Sequence, residues 1–135
     1  MKNLLKITTL AIILCFSLNI KAQSNDISWL NGVWRGTGFQ LNNSESWSIR
    51  FSANVNNKTF KIDYATLGCS GQWRFISAND HIAQFQETIT DGMMKCGNGG
   101  IIIITKIDNN YITFSYFIPG SGKLDSFSTL EKAEN

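Results

Sequence analysis

Hydrophobic and polar residues alternate with a period of two along most of the chain. In WSIRFS, Trp47, Ile49 and Phe51 fall on one face, and Ser48, Arg50 and Ser52 on the other. FKIDY repeats this with Phe60, Ile62 and Tyr64 against Lys61 and Asp63, and QWRF with Trp73 and Phe75 against Arg74. YITFSYFI places Ile112, Phe114, Tyr116 and Ile118 together. Such alternation marks half-buried β-strands, and the aromatic face is expected inside. Clusters of Gly, Asn, Asp and Ser separate the runs, and no convincing helical period appears after residue 22. The pattern predicts eight strands: Val33–Leu41, Ser46–Val55, Thr59–Thr66, Gln72–Ser77, His81–Thr90, Gly100–Ile107, Tyr111–Ile118 and Leu124–Leu130.

Two segments are less regular. The fifth strand carries His81, Ala83, Phe85, Glu87 and Ile89 on one face and Gln84, Gln86 and Thr88 on the other. Turning Phe85 inward buries or half-buries Glu87. Ile101–Ile104 is apolar on both faces, so its outer side is either covered or an interaction surface.

Hairpin-length connections between eight strands predict an all-β fold, an antiparallel up-and-down meander. With no helix to cover the sheet, closure into a barrel hides the edges. A two-sheet sandwich is the alternative, but it favours longer crossing connections. Pro119, the only proline, follows a strand, where its missing N–H does no harm.

Residues 1–22 read as a secretory signal peptide: Lys2 and Lys6, an apolar run from Leu10 to Leu18 that is short for a membrane span, and cleavage after Ala22. A retained anchor is the alternative. Cys15 lies inside the apolar run and lacks the small residues that precede a lipid-attachment cysteine. Residues 23–135 then form one domain, the barrel. Cleavage removes three of the 12 basic residues against 10 acidic ones, so the formal charge passes from +2 to −1. No basic patch for nucleic acid remains, and no membrane span is expected after cleavage.

Two cysteines stay in the domain, Cys69 and Cys96, each in a glycine-rich turn. In an exported protein an even count favours a disulfide. In an up-and-down barrel the loops after strands three and five share one end, so the pair is geometrically possible. Free or redox-active thiols are the alternative, without a Cys-x-x-Cys spacing to support them. The expected location is secreted or periplasmic.

Catalytic patterns are missing from the chain. His81 is the only histidine, next to Asn79 and Asp80 in what reads as a turn. Asp63, Glu87 and Asp91 form no spaced carboxylate pair, and the GNGG and GSG stretches open no helix that could cradle a phosphate. A zinc site lacks ligands. We therefore expect no enzyme, no metal and no cofactor.

The start of the first strand, NGVWRGTG, resembles the Gly-x-Trp signature of the calycin group, the lipocalins and their small relatives. The resemblance follows the strand order of the whole domain. It implies that Trp34 plugs the closed end of a barrel and that Lys132, in LEK, packs over it. The chain departs from most lipocalins by its shorter length and by lacking a helix after the last strand. It also lacks the two-helix lid of fatty-acid binders, since only NNSE joins the first two strands.

Inward aromatics can simply fill such a barrel, or they can wall a pocket. In the second case Trp47, Tyr64, Trp73, Phe85, Phe114 and Tyr116 are the candidate ligand-binding residues, with Tyr64, Tyr116 and Trp73 supplying polar tips. The expected function is a secreted lipocalin-like protein binding a small apolar or amphipathic molecule. The alternative is a protein–protein module, such as a hydrolase inhibitor, acting through loops 67–71 and 91–99 around Cys69 and Cys96, with Met93 and Met94 as adaptable contacts.

Overall fold

A computed structural model describes residues 26–134. The expected signal peptide and its cleavage point lie outside the described residues. Within them, a 3-10 turn at Ser28–Leu30 leads into eight strands: β1 (Gly32–Gln40), β2 (Ser46–Asn54), β3 (Thr59–Tyr64), β4 (Cys69–Ala78), β5 (Ile82–Asp91), β6 (Ile101–Lys106), β7 (Tyr111–Phe117) and β8 (Leu124–Lys132). Each strand pairs with its sequence neighbours, and β1 pairs with β8, giving a closed up-and-down barrel. The sandwich is thereby excluded. Among the described residues no helix is long and apolar enough to cross a membrane.

The polar clusters between strands make tight turns because Asn and Asp side chains accept hydrogen bonds from their own turn backbone. Asn79 Oδ1 accepts from the N–H groups of His81 and Ile82, and Asp108 Oδ1 from those of Asn110 and Tyr111. Closure is completed partly by a side chain. The β1–β8 register skips Thr37 and Gly38, and there the Ser128 hydroxyl donates to the Thr37 carbonyl at 2.7 Å.

The described strand ends differ from the expected ones by up to three residues. Cys69 opens β4 rather than lying in a loop, because Tyr64 pairs with it across the β3–β4 turn. The 3-10 turn has no signature in the hydrophobic period. Phe75 was expected inside but is 38% exposed. The physical cause is the short β3–β4 ladder: it ends at Lys61 and Gln72, so β4 runs on without a β3 partner. The Phe60 ring, 6.1 Å away, flanks Phe75 on that side. In β6, Ile102 and Ile104 are fully buried while Ile101 and Ile103 are half-buried on the outer face.

One end of the barrel is sealed. Trp34 is fully buried, and its indole N–H donates to the Leu30 carbonyl at 2.8 Å. The Lys132 ammonium lies 5.0 Å from the centre of the Trp34 ring, a cation–π arrangement. Above this, stacked rings fill the barrel. Phe51 and Trp73 lie 4.4 Å apart and Phe60 and Phe85 5.0 Å apart, and Trp73 also stacks on Phe114 at 5.8 Å.

The other end is open. Cys69 and Cys96 form a disulfide with their Cα atoms 6.4 Å apart, tying the start of β4 to the β5–β6 loop. That loop is also stitched down by backbone. Gly99 N–H donates to the Glu87 carbonyl, Glu87 N–H to the Gly100 carbonyl, and Ile89 N–H to Asn98 Oδ1.

Candidate functional site

Residues from strands and loops at the open end enclose a cavity of about 370 Å³. Its aromatic walls are Trp47, Tyr64, Phe114 and Tyr116. Its rim comes from Leu67 in the β3–β4 turn, from Lys95–Asn98 in the disulfide-tied loop, and from Ile118 and Pro119 after β7. Gln40, Glu45, Asp125 and Ser126 close the β1–β8 side.

Local features of the sequence make this space. β1 points Gly38 inward, and a Cβ there would lie 2.7 Å from the Trp47 ring. A Cβ on Gly100 would collide with the Tyr116 ring. These two glycines leave the room that the Trp47 and Tyr116 rings occupy. Lower in the barrel, facing positions carry large rings that pack against one another.

Of the six candidate ligand-binding residues, Trp47, Tyr64, Phe114 and Tyr116 line the cavity. Trp73 and Phe85 do not; both are buried in the ring stack beneath it. The barrel is thus filled in its closed half and hollow in its open half. Met93 and Met94 do not fold back over the mouth, and Met94 is 99% exposed.

Glu87 lies at the base of the cavity and is only 3% exposed. Two donors converge on its Oε2: the Tyr64 hydroxyl at 2.5 Å and the Trp73 indole N–H at 3.0 Å. Its Oε1 accepts no hydrogen bond from the described residues. Burial raises the Glu87 carboxyl above its ordinary range, against the pull of these two donors. Burial, then the Glu87 charge, pushes the Tyr64 hydroxyl well above its usual value. The Tyr116 hydroxyl is pushed up to about 12 by burial and by the charges of Glu87 and Asp125, so both carboxylates act on the same ring.

Two further polar groups matter. The Gln40 amide donates to both oxygens of Asp125 at 3.3 Å, which fixes that carboxylate at the rim. Trp47 Nε1 is sealed from solvent and donates to no group among the described residues. An unpaired buried donor costs about 1–3 kcal/mol, so it is retained at a price unless something accepts from it.

The fifth-strand alternation placed Glu87 on the inward face, but its partners and role were not legible there. Gln40, Glu45, Asp125 and Ser126 gave no sequence signal, because they meet only across the closed barrel, while Leu67, Lys95 and Asn98 lie in loops 67–71 and 91–99, which were read as a protein-contact surface and not as a cavity rim. A second concavity, about 500 Å³, lies outside β2–β5 and is lined by Arg50, Lys61, Asp63 and Asp91 among others. It runs over the outward, solvated face of the sheet and encloses no buried polar group. His81 is exposed, at the sealed end. Among the described residues no three His, Cys, Asp or Glu side chains are grouped to hold a metal ion.

No family model and no curated protein matches the chain. Among solved structures, it is similar to a redesigned β barrel, with a TM-score of 0.57 and 16% sequence identity over 79% of this chain and 94% of that one. At this identity the likeness concerns the barrel alone.

Proposed function

We propose that this chain is a secreted or periplasmic lipocalin-like binding protein that holds a small amphipathic molecule in the open half of its barrel. The observation that carries this is the hollow mouth with its aromatic walls and one buried carboxylate at the base. Pockets of this kind combine apolar walls with a few polar groups that orient the ligand. Trp34 under Lys132 at the sealed end supports the lipocalin-like assignment, and the disulfide supports an oxidising compartment. The cavity offers no nucleophile activated by a base, so binding rather than catalysis is the proposed role.

The test uses N-phenyl-1-naphthylamine, a neutral apolar dye that brightens on leaving water. Wild-type protein is expected to take it up saturably, and Ser126→Phe, which fills the cavity from β8, to abolish uptake while the barrel stays folded. No saturable uptake, or uptake unaffected by filling, contradicts the proposal.

A second function is favoured by Met94, which projects into solvent from a loop anchored by the disulfide. A protein partner docking there would lose affinity on Met94→Asp and be indifferent to Ser126→Phe.

A further inference from the structure

Resting on the assignment of the open cavity as the binding site, we infer that its ligand is a small organic cation whose ammonium head pairs with Glu87 Oε1.

Glu87 is the first reason. Its Oε2 is saturated by Tyr64 and Trp73, while Oε1 has no protein donor among the described residues and Glu87 lines the cavity. A buried carboxylate with an open acceptor calls for a donor that also carries positive charge, because charge-assisted hydrogen bonds are the strong ones. A neutral ligand would leave the charge uncompensated. An anionic ligand would bring like charges together where water is scarce.

The rest of the lining is net negative. Glu45 and Asp125 join Glu87 around the opening, against Lys95 alone. Lys95 is not spent on Glu87: its Nζ lies beside Gly68, in the β3–β4 turn. An excess of one sign of charge at a mouth with apolar walls concentrates the opposite ion.

The walls then suit a cation rather than merely an apolar body. Aromatic faces attract ammonium groups through their quadrupoles, and more strongly when water is excluded. Trp47, Tyr64, Phe114 and Tyr116 supply four such rings.

The test is calorimetric titration at neutral pH with three probes that share one ring: 2-phenylethylamine, 2-phenylethanol and phenylacetate. The amine is expected to bind at least about tenfold more tightly than either of the others. Glu87→Gln, which keeps an acceptor for Tyr64 and Trp73, is expected to erase that preference while circular dichroism shows the barrel still folded. Equal binding of the alcohol or the acid overturns the cation inference, as does an amine preference that survives Glu87→Gln. Saturable dye uptake beside any of these results leaves the binding function standing; absence of dye uptake removes both.

Discussion

The Tyr64 hydroxyl donates a 2.5 Å hydrogen bond to Glu87 Oε2, the same oxygen that the Trp73 indole reaches at 3.0 Å. Three strands meet in this contact, since Tyr64 ends β3, Trp73 lies in β4 and Glu87 in β5. It also divides the barrel, with packed rings below and the cavity above. Tyr64→Phe keeps the ring and removes the donor. We expect a loss of about 1–3 kcal/mol in denaturant unfolding at neutral pH, the cost of under-satisfying a buried charged group. An unchanged midpoint would mean that water replaces the hydroxyl.

Glu87 itself should set a pH dependence. Burial raises its carboxyl in the folded state above the value near 4.5 expected when unfolded. Between those two values the folded chain binds more protons than the unfolded one, so stability falls as pH rises through the window. Ionised Glu87 is therefore a liability at neutral pH. Glu87→Gln should be more stable than wild type there, and the difference should shrink as pH drops towards 4.5. Melting curves across this range check it; a difference that grows on acidification has the wrong sign.

The disulfide closes a loop with a sequence separation of 27. In the chain-entropy model its removal should cost about 3–4 kcal/mol. The double variant Cys69→Ala, Cys96→Ala should lose that much without reductant present. Because the bond anchors the rim at Cys96 and Gly97, ligand uptake should weaken as well. Equal melting temperatures for variant and oxidised wild type would contradict this.

Gly38 tests how the cavity is shaped. A methyl group there would stand 2.7 Å from the Trp47 ring and 2.9 Å from Ile49 Cδ1. Ile49 is buried and cannot move far, so the ring should swing into the open space. Gly38→Ala should destabilise by about 1–3 kcal/mol through overpacking and reduce dye uptake. Unchanged uptake would place the dye away from Trp47.

Much of the fold was legible because its causes are local. Period-two alternation marked the strands, Asn and Asp marked the turns, and the strand count put Cys69 and Cys96 at one end. The site was less legible because its causes are not local. Gln40 and Asp125 meet across 85 positions, where β1 closes on β8 and a bulge after Tyr116 shifts the register. Which inward rings pack and which wall a cavity depends on facing glycines: Trp47 and Trp73 look alike in their strands, yet Gly38 makes room beside the first, while Phe51 and Phe114 enclose the second. Phe75 shows the same limit, since its exposure follows from where the β3–β4 ladder stops.

The most direct test of a ligand-holding barrel is native mass spectrometry of the protein purified from its native host without denaturant or reductant. We predict a chain two hydrogens lighter than its reduced form, carrying a recurrent small added mass that is lost in Ser126→Phe. A bare chain under conditions that preserve non-covalent complexes, in wild type and variant alike, would contradict it.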